Sequence, residues 1–435
     1  MNEDSDVNCG TAISLESARH IASHFALPGP IEVSDFPEKG NINQQAYLVK
    51  TGTPDDSGEY ILQMLNPDVF TQPRAVMEAM ISCIQAQRKS LAEGILGSGE
   101  EWETIRLIPT REGNPYLEIG DGKDIRCWRM MERIRNAHTN RKLRAFSDPG
   151  ARLSIAEEAG RGLALFGILS SGMEVSLIRH PLPGYRDTKL YYDQLHSILE
   201  GNRTLQEAEK YLPPDPVTRE GTERYFLVHN NPEEYRRRRE DSQLSRFITL
   251  ALEQKSFALT LFKGLKDGNL RQTLIHGDTK LDNFLFSTAT GKVKAVIDLD
   301  TLMAHTWLSD WGDMVRSLVN VAGEREPDPV KIEVDIEVFK AIAKGFLSSA
   351  SHIPRQEIEF MTEAPQIMAI ELGVRFLTDY IRGDNYFRLG PADPRDLNKI
   401  RAIVQFRLFE NLRKDSATLK QCVEEAKQRI NYEQS

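Results

Sequence analysis

The chain has 435 residues, 40% of them hydrophobic and 27% charged, and a formal net charge of −9. That size and balance fit one large or two ordinary globular domains, each with its own core. An acidic chain has no global basic field for nucleic acid or an anionic membrane, and no apolar run approaches a membrane span, so neither is an expected partner.

Residues 1–12 read as a disordered tail. Ser14 or Ser17 is a candidate cap for a first amphipathic helix carrying Ala18, Ile21, Ala22 and Phe25 on one face, ended by Pro28-Gly29-Pro30. From residue 31 the pattern turns to short β-like runs. Gln45–Lys50 and Tyr60–Leu65, separated by the turn-rich Thr51–Gly58, read as a hairpin. Val76 to Leu91 has helical spacing, and strands are expected at Thr104–Pro109, Tyr116–Ile119 and Arg126–Met131. After residue 135 helices dominate: 154–171, 189–201, 243–263, 311–321, 332–349, 362–381 and a last pair from Asp396. One β-rich island, 273–275, 284–286 and 293–297, interrupts them.

The expectation is an α+β, two-lobed chain: a tail and helix over 1–30, a five-stranded antiparallel lobe over 31–134 on the nucleotide side, and a helical lobe over 135–435 holding the catalytic loop and acceptor site. A cleft between two such lobes suits a ligand. The run Arg236–Arg239 reads as the solvated face of a helix. Cys9, Cys83, Cys127 and Cys422 lack C-x-x-C or zinc-ligand spacing, and the acidic first residues lack a signal peptide's basic and apolar regions; reduced thiols in a cytoplasmic protein are expected.

The chemistry concentrates in Leu274-Ile-His-Gly-Asp278-Thr-Lys280-Leu-Asp-Asn283, followed by Val296-Ile-Asp298-Leu-Asp300-Thr301. In phosphoryl transfer an Asp in a catalytic loop orients the attacking hydroxyl and accepts its proton. An Asn five residues on and an Asp on a later strand supply hard oxygen ligands for Mg²⁺. Asp278 to Asn283 keeps the spacing of H-R-D-L-x-x-x-N, with Gly277 in place of Arg. Asp300 is either a second metal ligand or a cap for the next turn. Asp310, Asp313 and Arg316 are expected to brace the loop through ion pairs.

His276-Gly-Asp278 with Asn283 and Ile297-Asp298 resembles the aminoglycoside phosphotransferase and choline kinase group, which implies a protein-kinase-like fold and use of ATP and Mg²⁺. It implies Asp278 as catalytic base, Asn283 and Asp298 as metal ligands, and His276 as a structural anchor. Longer strings resemble the N-acetylhexosamine 1-kinases: Tyr60–Asn66 with Val69-Phe70, Pro73 and Met77-Glu78; Ile297–Met303 with Asp310–Arg316; Glu371–Tyr380 and Gly383–Phe387. Leu182-Pro-Gly-Tyr185-Arg186-Asp187-Thr188 resembles that group's Pro-x-Phe-His-Asp/Asn-Thr signature, with Tyr-Arg replacing Phe-His. This resemblance implies a sugar acceptor contacted by Tyr185, Arg186, Asp187, Thr188, Arg316 and Asp379. It also implies a phosphate- or sugar-facing Arg375, opposed by the reading of a solvated helical arginine.

Nucleotide contacts are expected from Gly40, Asn41 and Asn43 in a glycine-poor loop, from Gln63 and Glu78, and from Met131, Glu132 and Ile134 at the lobe junction. Kinases commonly place a lysine on the third strand; here Gln63 stands there, as in the group resembled, so what steadies the phosphates stays open. Two alternatives accompany the sugar kinase: a relative acting on an amino alcohol, amino acid or antibiotic, and a non-catalytic nucleotide-binding module. Oligomeric state is not legible.

Overall fold

The computed structural model describes residues 13–433 except 38, 40, 41, 53–57, 98, 121–124, 351 and 352. The expected tail, Cys9, and the loop residues Gly40 and Asn41 lie outside the described residues.

The first helix, Leu15–Ala22, starts at Ser14, whose hydroxyl accepts the Ser17 N–H at 3.0 Å. Its apolar face, Ala18, Ile21 and Ala22, lies on a six-stranded antiparallel sheet. The strands are β1 (Ile31–Asp35), β2 (Ala46–Thr51), β3 (Gly58–Met64), β4 (Leu107–Ile108), β5 (Leu117–Ile119) and β6 (Arg126–Glu132). Their order is β1-β2-β3-β6-β4, with β5 also on β6. Five strands were expected; the sixth is β1, a short run with only Val33 turned inward.

Alternation along the central strands matters most for the cleft. Leu62 and Met64 on β3, and Trp128 and Met130 on β6, face the first helix. Gln63 and Arg129, paired in register, therefore face the other way. On that side packs the helix Pro73–Ala92, whose Met77, Met80, Cys83 and Ile84 join the core of the larger lobe.

In the helical lobe β7 (Ala137–Thr139), β8 (Thr273–Ile275), β9 (Phe284–Ser287), β10 (Val293–Val296) and β11 (Met303–His305) form two small sheets, β10-β9-β7 and β11-β8. Helix Pro149–Ser170 crosses Ile336–Ser349 at two glycines. A Cβ on Gly160 would stand 2.2 Å from the Ile342 carbonyl oxygen, and one on Gly345 1.8 Å from that of Glu157. Helix Ala364–Arg382 runs through the middle of the lobe and is buried almost throughout. The expected helix 243–263 is instead three pieces, Ser242–Glu253, Lys255–Ala258 and Thr260–Lys266. The arginine run ends helix Pro232–Arg239. Arg237 pairs with Glu234 there, and Arg238 departs from a solvated face by donating to the Tyr380 carbonyl at 2.6 Å. Among the described residues no helix is long and apolar enough to cross a membrane.

Candidate active site

The loop after β8 is held by its backbone. Asp310, buried at the start of helix Trp307–Leu318, accepts the His276 N–H at 2.6 Å and the Gly277 N–H at 2.8 Å on its two oxygens. The buried His276 donates from Nε2 to the Ile297 carbonyl at 2.8 Å and accepts the Asp278 N–H on Nδ1 at 3.3 Å, tying the loop to the end of β10. Gly277 has φ +83°, and a Cβ there would lie 2.5 Å from the Thr301 carbonyl oxygen, so the arginine of H-R-D has no room.

Asp278 projects into the cleft with one oxygen bonded to Lys280 Nζ at 2.7 Å. Asn283 Nδ2 donates to the Asp278 carbonyl at 2.7 Å, which leaves Asn283 Oδ1 facing away as an acceptor. Asp298 sits in left-handed backbone (φ +63°) just past β10, where a short polar side chain is tolerated. Its carboxylate makes no hydrogen bond or ion pair with another described residue. Burial, and then the negative charge of Asp300, push its carboxyl up to about 6. Burial opposes the Lys280 charge, but Asp278 and Asp298 together hold that ammonium above its usual range. An unpartnered, half-buried carboxylate beside a free amide oxygen is a donor set that fits a small, hard divalent cation.

Asp300 differs from Asp298. Its side chain is 2% exposed, and both oxygens are engaged, one by the Arg129 guanidinium and the other by Asn43 Nδ2 at 2.5 Å. The metal-ligand expectation for Asp300 is corrected on that ground, as is the nucleotide role of Asn43. Asn43 is buried and spans Asp300 and the Asn66 N–H, which it accepts at 2.9 Å. Glu78 is an exposed partner of Arg179 on the surface of helix Pro73–Ala92. Gln63 Oε1 accepts from Arg129 Nε at 3.1 Å and Nη2 at 2.6 Å.

At the junction of the lobes Met131 is paired on both sides, to β3 and β4. The Glu132 N–H is taken by the Arg106 carbonyl at 2.9 Å and its carboxylate by Arg106. Ile134 makes no backbone hydrogen bond with a described residue, so of the three its peptide groups are the ones open to an adenine edge.

The expected acceptor residues are all bonded to other parts of the chain. Tyr185 Oη and Arg186 Nη2 both donate to the Gly277 carbonyl at 2.8 Å. Arg186, buried and at φ +61°, also binds Asp313 at 2.7 Å. Arg316 holds the other Asp313 oxygen at 2.6 Å and 2.9 Å. Burial would raise the Asp313 carboxyl, but the Arg186 and Arg316 guanidiniums hold it well below the usual carboxylate range. Asp187 caps helix Thr188–Glu200 through the Leu190 N–H at 2.9 Å, and the buried Thr188 donates to Glu371 at 2.5 Å. Arg186, on the Gly277 carbonyl and Asp313, and Arg316, on Asp313, are thus corrected from substrate contacts to braces of the catalytic loop, while Asp187 is spent on capping its helix and Thr188 on Glu371. Asp379, 0% exposed, accepts Arg382 and the Tyr386 and Phe387 N–H groups at 2.7–3.0 Å; it clasps the turn after helix Ala364–Arg382 and cannot reach a ligand.

Arg375, on the same helix, is not a solvated arginine. Its guanidinium lies 4.7 Å from the Tyr191 ring and 5.3 Å from each of Tyr185, Tyr386 and Phe387. It donates to Tyr386 Oη at 3.0 Å and pairs with no carboxylate among the described residues. Sequence reasoning passed over Lys280, Arg129 and this aromatic cage. Lys280 stood in the motif itself, two residues after Asp278; Arg129 carried only the signal of a charge set between Cys127-Trp128 and Met130-Met131.

A family model described as "Phosphotransferase enzyme family" matches residues 36–331. The structure described as the microcompartment-associated aminopropanol kinase is 14% identical, covers 93% of this chain and 98% of its own, and superposes with TM-score 0.52. A structure described as a putative aminoglycoside phosphotransferase from Ralstonia eutropha is 13% identical over 92% of this chain and 98% of its own, TM-score 0.49. Choline kinase from Cryptosporidium parvum is 13% identical over 94% and 98%, TM-score 0.46.

Proposed function

The chain belongs to the phosphotransferase enzyme family and is a small-molecule kinase, and on that premise we propose that it moves the γ-phosphoryl group of ATP to the anomeric hydroxyl of a neutral sugar of the N-acetylhexosamine class. In this reading Asp278 orients the sugar hydroxyl and takes its proton as the oxygen attacks phosphorus. Lys280 holds Asp278 aimed, and its ammonium balances the crowding of negative charge between Asp278 and Asp298. Asn283 Oδ1 and the Asp298 carboxylate would hold Mg²⁺, which when bound neutralises charge on the phosphate oxygens. Backbone donors on both Asp310 oxygens keep the loop from shifting as charge moves across it.

The observation that carries the choice of acceptor is Arg375. An aromatic box is a ready receptor for an ammonium group. Here it is filled by the chain's own guanidinium, which is permanently charged and has no carboxylate partner among the described residues. The box borders Tyr185, which is bonded to the Gly277 carbonyl next to Asp278. A cationic amine brought to Asp278 meets that charge, whereas a sugar or an amide oxygen finds a donor. The longer sequence resemblances, at 60–78, 297–316 and 371–387, support the same choice.

The test is a coupled ATP-consumption assay with N-acetylglucosamine, N-acetylgalactosamine, glucosamine, galactose, choline and kanamycin. Turnover with the N-acetylated sugars and a product labile at the anomeric carbon is expected. Turnover confined to choline or kanamycin would refute the sugar, a 6-phosphate would refute the anomeric position, and no ATP consumption with any acceptor would favour the non-catalytic binding module.

A further inference from the structure

Arg129 is a fully buried cation in the small lobe whose work the phosphotransfer reading leaves unassigned. It stands on the cleft side of β6, in register with Gln63 on β3. Its Nε and Nη2 both donate to Gln63 Oε1, at 3.1 and 2.6 Å, and its Nη1 donates to Asp300 and lies 3.4 Å from Met80 Sδ. Asp300 in turn is clamped from its other oxygen by Asn43. Four side chains from two lobes therefore make one continuous chain of contacts between β3, β6, the loop before β2 and the turn after Asp298.

Two consequences follow from donor and acceptor counting. An arginine has only donors, so the Gln63 amide must present its oxygen to Arg129 and turn its NH₂ elsewhere. That Nε2 makes no hydrogen bond with any described residue, and Gln63 is only partly buried, so the NH₂ is left over as a fixed donor at the cleft. A lysine at position 63, by contrast, would offer Arg129 no acceptor and would set an ammonium against a guanidinium.

We propose that Arg129 is a positioning residue for the nucleotide: anchored on Asp300, it orients the Gln63 amide so that Nε2 donates to a phosphate oxygen where kinases commonly present a strand lysine. This rests on the phosphotransferase reading of the cleft. The cation is thereby kept one side chain away from the phosphates, and Asp300 serves as its anchor, leaving metal binding to its neighbour.

The test measures ATP affinity by titration calorimetry without acceptor, alongside melting temperature, in the full chain. Arg129→Gln and Gln63→Lys are each expected to weaken ATP binding by about tenfold or more, the loss of one hydrogen bond to a charged group. The pair Gln63→Lys with Arg129→Gln restores a cation opposite an acceptor, and is expected to bind within about threefold of the unaltered protein. Gln63→Glu keeps the acceptor for Arg129 but removes the NH₂; an unchanged melting temperature with weakened ATP binding is expected, and this variant carries the test if Arg129→Gln fails to fold. Unchanged affinity in Gln63→Glu or Arg129→Gln, affinity at or above the unaltered level in Gln63→Lys, or a double variant no better than its parents overturns the proposal. Because no acceptor is present, a wrong sugar assignment leaves these results untouched. Failure of the unaltered protein to bind ATP overturns the phosphotransferase reading and this one together.

Discussion

Asp278 has one carboxylate oxygen on Lys280 and the other without a hydrogen bond among the described residues, which leaves an acceptor for the proposed role as base. Asp278→Asn is expected to lower kcat by about 10²–10⁴-fold while ATP affinity changes little, since only the proton acceptor is lost. Steady-state kinetics beside calorimetric titration checks it; near-unaltered turnover would remove the role. Asp298→Ala is expected to abolish Mg²⁺-supported turnover, because Asp300 is committed to Arg129 and Asn43 and cannot stand in. Activity surviving in Asp298→Ala but lost in Asp300→Ala with the melting temperature intact would transfer the metal role to Asp300.

A third residue-scale expectation concerns acid. His305, bonded to Ser309 at 2.6 Å, has its pKa pushed down to about 3 by burial and then by the nearby Arg186 charge. Between pH 6.5 and 3 the unfolded chain binds a proton there that the folded chain does not, so this group makes stability fall as pH falls through that window, by up to about 1.4 kcal/mol per pH unit. His305→Gln should flatten the acid limb of a denaturation-midpoint profile across this range, and an unchanged slope would show the proton is taken up elsewhere.

Elements meet here through a few close approaches that side-chain patterns do not announce. The crossing of helices Pro149–Ser170 and Ile336–Ser349 depends on Gly160 and Gly345, where an added Cβ would fall inside the opposing backbone. Gly345→Ala gains helix propensity, yet it is expected to destabilise by about 3 kcal/mol because the contacted atom is a carbonyl oxygen that cannot step aside. A melting temperature equal to or above that of the unaltered protein would contradict the packing. The periodicity that marked the long helices was read correctly, because amphipathic spacing is local. The single helix expected over 243–263 was not found: the chain bends at Gln254 and Leu259, where ψ is near 0°, with no glycine or proline to announce it. Strands β7 and β11, three residues each, also went unread, since so short a run is a strand only by virtue of its partner.

Taken whole, the molecule is two lobes joined by the apolar packing of helix Pro73–Ala92 and by buried polar contacts, with the Asp300–Arg129 pair linking the turn after Asp298 to the small lobe's sheet. A ligand that binds only the folded cleft stabilises it by mass action, about 2.7 kcal/mol at a concentration of 100 Kd. MgATP is therefore expected to raise the melting temperature of the unaltered protein, and to do so far less in Asp298→Ala; equal shifts in both would place the nucleotide elsewhere. The two-lobed α+β class and the phosphotransferase family were legible from sequence, because the motif loop and the strands flanking it are contiguous in the chain. Which polar residues face a ligand and which brace the loop was decided by tertiary structure. Arg186, Thr188, Arg316 and Asp379 share the composition of a binding site, but they are bonded to partners such as Asp313, Glu371 and the backbone of 386–387. Hydrogen-bond capacity is finite, and the partners that exhaust it lie up to 183 residues away in the chain, a pairing that no local pattern encodes.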